Sequence, residues 1–389
     1  MNKNWTYKTF GDVGSFLRGK SIQKADFVDK GLPCIHYGQI HTKFGISVDK
    51  HLSEIPKEIY NKSIIASPGD VIIAITSEDL EGSCKSTAWL GDYDVAVSAH
   101  AAVYKHNLNP KFVVYYLRSN SFFIEKEKYA RGFKVMEIKP TDIAKIPIPI
   151  PSAEVQQSVV AEFDRINELI TLKKKQLIDL DFLSKSIFYD MFGDPLIDDK
   201  KWETKKYGDC FTIGSGGTPS KSNSLYWDNG NIPWIGSNMC QNCVITETDG
   251  KYITIEGLNN SSAKILEPGT VLVALVGATI GKVALLKTST STNQNIAFIK
   301  ANESKSFCPE YVFYHLINQH DEFMMIGNGD FKMASQAFIK SLSIMTPPIS
   351  LQQSFANCIS SIEQQKQEIT SSITDLETLF ASRMQYWFD

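Results

Sequence analysis

No apolar run in this 389-residue chain approaches the length that a bilayer demands. The longest, Val71 to Ile75 and Val271 to Val276, are strand-sized, and Met1 to Phe10 has no secretory character, so a cytoplasmic location without membrane partners is expected. Cysteine is sparse. Seven residues without regular spacing argue against a disulfide framework, and the one close pair, Cys240-x-x-Cys243, would need two further ligands nearby to hold a structural zinc. Catalytic patterns are missing as well, since the seven His join no Ser/His/Asp or metal-binding arrangement. Nor is there an excess of positive charge. The net charge is −3, with 20 Lys and Arg against 16 Asp and Glu in residues 1–153, 5 against 7 in 154–192, 13 against 15 in 193–349 and 2 against 5 in 350–389. Phosphate neutralisation by such a chain would give modest affinity, so a nucleic-acid partner would be held with help from another protein.

What the sequence does contain is a long seam. Val159, Phe163, Ile166, Ile170, Lys173, Leu177, Leu180, Ser184, Ile187 and Met191 step by four and three, the 3.5-residue period of a coiled coil. Glu154 to Phe192 has neither Gly nor Pro, and as one helix it would extend about 60 Å, a strut rather than a core helix. Shifted by 196, the seam recurs as Phe355, Ile359, Ile362, Lys366, Ile369, Ile373, Leu376, Phe380, Arg383 and Trp387. Both stretches follow a Pro-rich entry and a Gln pair, Gln156-Gln157 and Gln352-Gln353. Two such helices in one chain are expected to pair with each other, parallel or antiparallel, rather than to oligomerise. The pairing residues are then Val159, Phe163, Ile166, Ile170, Leu177, Leu180 and Ile187 with Phe355, Ile359, Ile362, Ile369, Ile373, Leu376 and Phe380.

The intervening segments repeat too. Trp5…Phe10-Gly11-Asp12 returns as Trp202…Tyr207-Gly208-Asp209, and Pro68-Gly69-x-Val71-x-x-Ala74 as Pro268-Gly269-x-Val271-x-x-Ala274. Pro110-x-Phe112-Val113-x-Tyr115-x-Leu117 returns as Pro309-x-Tyr311-Val312-x-Tyr314-x-Leu316. A period near 197 reads as a duplicated domain plus helix. The expected class is α+β, with domains at 1–152 and 194–348 and long helices at 153–193 and 349–389.

Three motifs suggest chemistry and fail on inspection. Gly277 to Lys282 is one residue short of a phosphate-binding loop and has Val283 where Ser or Thr would hold magnesium. Asn109-Pro110-Lys111-Phe112 lacks the second Pro of the adenine-holding motif of amino-methyltransferases, and its repeat is Cys308-Pro309-Glu310-Tyr311. A helix start explains both copies. Asp199 with Glu203-x-Lys205, a nuclease-like set, lies in a polar linker.

What remains are loops that mix cations, amides and aromatics, the side chains that read base edges and hold phosphates. The first unit offers Arg18, Lys20, Tyr37, Gln39, His41, Thr42, Lys43, Lys85, His100, Arg131 and Lys134. The second offers Thr218, Ser220, Lys221, Ser237, Asn238, Lys282, Asn293, Gln294, Asn295, Lys332 and Gln336, with Trp234 read as core.

The order of globular unit, long helix, globular unit, long helix resembles the specificity subunits of type I restriction-modification systems. The likeness is carried by Gly216-Gly217-Thr218-Pro219-Ser220, Tyr226-Trp227, Asn229-Gly230-x-Ile232-Pro233-Trp234-Ile235, Arg18-Gly19-Lys20, Tyr37-Gly38-Gln39-Ile40, Gly277 to Lys282, and Phe188-Tyr189-x-Met191-Phe192-Gly193-Asp194-Pro195. It covers essentially the whole chain. The resemblance implies two target recognition domains reading a bipartite double-stranded DNA site, an antiparallel helix pair that sets the spacer, and no catalysis in this chain. It implies partners as well: two methyltransferase subunits using S-adenosylmethionine, and restriction/translocase subunits using ATP and magnesium. A related system with a fused methylase-nuclease partner, and a coiled-coil scaffold without DNA function, are the alternatives.

Overall fold

Val71–Ala74 and Val271–Ala274 are uninterrupted apolar tetrapeptides, and each lies at the centre of a five-stranded sheet, buried on both faces. A computed structural model describes residues 5–20, 22–132, 134–197, 199–302, 306–325 and 333–389. The chain divides into two units, Met1–Lys174 with Ser371–Asp389, and Lys175–Thr370.

In the first unit the sheet order is Gly14–Arg18, Ala101–His106, Val71–Ala74, Ser86–Trp89 and Ser47–Val48, antiparallel except for the last pair. Alternation assigns its faces. Val71 and Ile73 join Tyr104 and the helix Pro110–Tyr116 in one core, while Ile72 and Ala74 join Ile35, Trp89, Val95 and Val97 in another. The second layer is a four-stranded sheet ordered Ser53–Ile55, Leu32–Ile35, Val95–Val97, Ile64–Ala66.

The second unit repeats the main sheet strand for strand: Phe211–Ser215, Ile296–Ala301, Val271–Ala274, Val283–Leu286 and Cys243–Ile245, again with only the last pair parallel. Val271 and Val273 face one core and Leu272 and Ala274 the other. Its accessory sheet has three strands, Tyr252–Ile253, Ile232–Ile235 and Ser291–Thr292.

Long helices run over Ala153–Phe192 and Ile349–Phe388, and each unit takes part of both. The first stops at Gly193, whose φ of +81° lets its N–H reach the Tyr189 carbonyl (2.9 Å), and Trp202 Nε1 donates to the Phe192 carbonyl (2.9 Å). Inside the first unit, Phe163 stacks near Phe380 and Phe388 (ring centres 5.2 and 6.1 Å), and Lys174 pairs with Glu377 at 2.9 Å. Inside the second, Lys366 pairs with Asp181 at 2.8 Å, and Phe355 packs on Phe188 and Phe192. In each unit the numbers on one helix rise as those on the other fall. The pair is antiparallel.

Both helices are fastened at their starts by the same device. Gln156 is buried, accepts from the Asn109 N–H (2.9 Å) and donates to the Pro151 carbonyl (3.0 Å). Gln352, also buried, accepts from the Cys308 N–H (3.0 Å) and donates to the Pro347 carbonyl (2.9 Å). Each glutamine ties its long helix to the N-terminus of the short helix beginning at Pro110 or Pro309, where unpaired backbone groups collect.

Candidate nucleic-acid interface

In the first unit the loop ends of the main sheet meet at an open groove of about 1250 Å³. Tyr37, His41, Thr42, Lys85 and His100 line it. Tyr37 begins the short helix Tyr37–Thr42, capped by His36 and Gln39: Gly38 N–H donates to His36 Nδ1 (3.2 Å), and His36 N–H donates to Gln39 Oε1 (2.9 Å). Burial pushes the His36 imidazole down, which favours the neutral ring that such an acceptor requires. The Tyr37 ring centre is 4.5 Å from that of His36 and 4.9 Å from that of His100.

Several candidate readers are already engaged. Gln39 Nε2 donates to Ser53 Oγ (2.7 Å), and the Thr42 hydroxyl donates to the Gly38 carbonyl (2.8 Å). Arg18 pairs with Glu137 (3.0 Å) and Arg131 with Asp142 (3.5 Å). Lys20, Lys43 and Lys134 are exposed. Lys20 lies outside the groove just described, in a smaller one with Gln23, Asp26 and Lys62. The main groove is not uniformly basic, because Glu78, Asp79 and Glu81 share its wall.

In the second unit the corresponding loops form an amide-rich surface. Thr218 donates its hydroxyl to Gln294 Oε1 (2.5 Å), and Asn293 Oδ1 accepts from the Asn295 N–H (3.1 Å). A Cβ on Gly236 would meet Asn238 Oδ1 at 2.7 Å and Asn293 Nδ2 at 3.7 Å, so these two amides converge over that glycine. Ser237 starts a 3-10 turn, Ser220 shares a hydrogen bond with Ser222 (2.9 Å), Lys221 is exposed, and Gln336 Nε2 donates to Ser215 Oγ (2.9 Å). Trp234 is buried and donates to the Gly217 carbonyl (2.9 Å). Lys332 lies outside the described residues.

The two surfaces correspond in detail. Gly19 and Gly216 have no room for a Cβ, which would lie 2.0 Å from the Ser98 and Thr292 carbonyl oxygens, so a strand-end loop rests on the same turn in both. The N–H of Ile75 donates to the His100 carbonyl (2.9 Å) and that of Leu275 to the Asn295 carbonyl (2.8 Å), which makes His100 and Asn295 counterparts. Cys84 (φ +63°) occupies the left-handed position held elsewhere by Gly281 (φ +72°), so Lys85 and Lys282 coincide.

Residues that no sequence motif marks also shape these surfaces. Lys126, buried, donates to the carbonyls of Ser83 (2.6 Å) and Glu81 (3.2 Å) and holds the 79–84 loop. Arg118 donates to the Gly45 carbonyl (3.2 Å). Gln241 and Asn242, exposed residues that separate Cys240 from Cys243 in sequence, contact Lys282 and Val283. Burial raises the Cys240 thiol to about 12, and among the described residues no three His, Cys, Asp or Glu gather into a metal site. No helix among these residues is long and apolar enough to cross a membrane.

On the long helices, every residue expected to pair is buried or half-buried: Val159, Phe163, Ile166, Phe355, Ile359, Ile362 and Ile373 are buried, and Ile170, Leu177, Leu180, Ile187, Ile369, Leu376 and Phe380 half-buried. Val160, Phe188, Phe192, Met384 and Phe388 are buried off that seam or at its ends.

A family model described as the type I restriction modification DNA specificity domain matches twice, over residues 2–181 and 199–377. The chain is 25% identical over 256 residues to the EcoR124I/EcoR124II specificity subunit of Escherichia coli, covering 63% of this chain and 62% of that protein. It is 23% identical over 192 residues to the MjaVIII specificity subunit of Methanocaldococcus jannaschii, covering 48% and 44%. The matches thus span less than two thirds of these relatives' lengths. Among solved structures, a chain of a type I R-M system superposes with a TM-score of 0.64 at 18% identity over 100% of this chain and 98% of that one. The S subunit of the type I system of M. genitalium gives 0.57 at 13% identity over 98% and 96%. These share the fold.

Proposed function

Because this chain belongs to the type I restriction-modification DNA specificity family, we propose that it is the DNA-recognition subunit of such a complex, reading one half of a bipartite asymmetric site with each unit. The observation that carries this reading is the correspondence between the two loop surfaces: one scaffold, met twice, presents histidines and tyrosine in one copy and a set of amides in the other. Asn and Gln suit adenine edges, and two surfaces of different chemistry suit two different half-sites.

Recognition is assigned to residues 1–152 and 194–348, and partner docking to the helices at 153–193 and 349–389. Leu172, Ile178, Phe182 and Leu183 on the first long helix are exposed, between 46% and 66%, which suits apolar contact with a methyltransferase subunit better than contact with phosphate. The partners would supply S-adenosylmethionine chemistry and base flipping, and the restriction/translocase subunits ATP and magnesium. This chain supplies no catalytic group.

The test is a mobility-shift assay on randomised duplexes with the chain alone and with its methyltransferase subunits, followed by sequencing of the methylated positions. A two-part motif with a fixed gap is the expected outcome. Absence of any sequence preference in the assembled complex would leave only a coiled-coil scaffold.

A further inference from the structure

Lys85 and Lys282 occupy equivalent positions on the two surfaces, and both spend the ammonium group on a protein oxygen. Each follows the left-handed residue Cys84 or Gly281, and each carbonyl accepts from the strand N–H of Ala74 (2.8 Å) or Ala274 (2.9 Å). From that fixed root the side chains reach across to the loop after Leu32–Ile35 or Ile232–Ile235. Lys85 Nζ donates to the His41 carbonyl at 2.6 Å, and Lys282 Nζ donates to Gln241 Oε1 at 2.6 Å. A second tie accompanies each. His41 Nε2 lies 3.0 Å from the Thr76 carbonyl oxygen, and Asn242 Oδ1 accepts from the Val283 N–H at 2.9 Å.

The sequences around these contacts differ, and the acceptor is a main-chain oxygen in one unit and a side-chain amide in the other. What persists is the bridge itself. The structure therefore points to Lys85 and Lys282 as positioning residues: we propose that they clamp the loops carrying Tyr37–Thr42 and Ser237–Asn238 onto the sheet, and so set base discrimination in their own half-sites. This rests on the DNA-recognition reading above. Phosphate contacts add affinity that is blind to sequence and steeply salt-dependent, whereas discrimination requires donors and acceptors held at fixed distances from base edges. A clamp and a phosphate contact therefore differ in what their loss changes.

Gln241→Leu removes the acceptor of Lys282 without altering charge, and Lys282→Met removes the donor. Each is assembled into the complete complex with the methyltransferase subunits, which first selects from a randomised duplex pool as wild type. If the wild-type complex enriches no sequence, the recognition reading fails and this proposal falls with it. With a site in hand, binding is measured over a salt series for the selected duplex and for single substitutions in each half. Both variants are expected to lower discrimination by about tenfold in one half only, the scale of one well-placed base contact. The double variant should lower it no further, and Gln241→Leu should keep the wild-type salt slope. Lys85→Met is expected to relax the other half. Unchanged discrimination in Gln241→Leu, with Lys282→Met flattening the slope by about 0.9, would assign the lysine to a phosphate instead. Additive losses in the double variant would also overturn the clamp. Gln241 is exposed, so its variant carries the test even if Lys282→Met folds poorly.

Discussion

His315 shows how one buried side chain couples the second unit to pH. Its ring is fully enclosed, with Nδ1 3.1 Å from the Tyr207 hydroxyl and Nε2 accepting from the Met345 N–H at 3.4 Å, and burial pushes its pKa down to about 3. The unfolded chain binds this proton near pH 6.5 and the folded unit does not, so stability is complete above that value and is lost as pH falls towards about 3. The expected slope from this residue is about 1.4 kcal/mol per pH unit in that window. Thermal unfolding between pH 7 and 4, with His315→Gln as the comparison, measures it: the variant should show a shallower acid decline. A second residue-scale expectation concerns the left-handed turn. Gly281→Ala would place a Cβ 2.6 Å from Phe323 Cβ at φ +72°, so a loss of at least about 1–2 kcal/mol is expected, whereas Cys84→Gly trades relief of backbone strain against lost burial. The conformational slot repeats while the residue filling it changes from Cys to Gly. Glu81-Gly82-Ser83-Cys84-Lys85 reads in sequence as the counterpart of Gly277 to Lys282 although the glycine pattern is not kept, and equivalent backbone hydrogen bonds to Ala74 and Ala274 give Lys85 and Lys282 the same register.

The helices and sheets were more legible than the loops, for physical reasons. A two-faced buried strand must be apolar throughout, so Val71–Ala74 and Val271–Ala274 announced themselves, and strict 3.5-residue spacing without Gly or Pro announced the long helices. Antiparallel pairing was not readable from the period alone, which is blind to direction. The second apolar stripe, Val160 and Phe188 with Met384 and Phe388, was overlooked because a single 3.5-residue seam picks out one line of residues, whereas the buried face is wider: seam and stripe residues share the same cores, and Phe188 and Phe388 also meet the partner helix. The matched Gln pairs were visible as a motif, but their task, closing the N-terminus of a neighbouring helix, depends on contacts 44 and 47 residues apart. Gln156→Ala or Gln352→Ala should cost about 1–3 kcal/mol by leaving a buried N–H and carbonyl unpaired, with the loss confined to one unit in hydrogen exchange. Ile362→Asp, which buries a carboxylate without a partner, should cost several kcal/mol and abolish assembly of the complex in size-exclusion chromatography.

At the scale of the whole molecule, the first unit is discontinuous. Its core takes Phe112, Tyr116 and Phe163 from the front of the chain and Met384 and Phe388 from beyond residue 370, and Trp5 stacks on Trp387 with ring centres 5.9 Å apart. Arg383 and Trp387 both donate to Glu162, and the Arg383 guanidinium holds that carboxyl below the usual range. A chimera that exchanges residues 5–174 with a relative should therefore melt lower than one that exchanges 371–389 as well, and both should alter only one half of the bound site. Calorimetry and site selection on the two chimeras test this directly, and equal melting temperatures would mean the late segment adds nothing. The same discontinuity has a consequence during synthesis. Val159, Phe163 and Phe112 leave the ribosome early, yet the side chains that cover them are made only after the entire second unit. At roughly 5–20 residues per second, the intervening roughly 200 residues leave that apolar surface uncovered for about 10–40 s, long enough to make the nascent first unit a client for chaperones while the second unit folds in one pass.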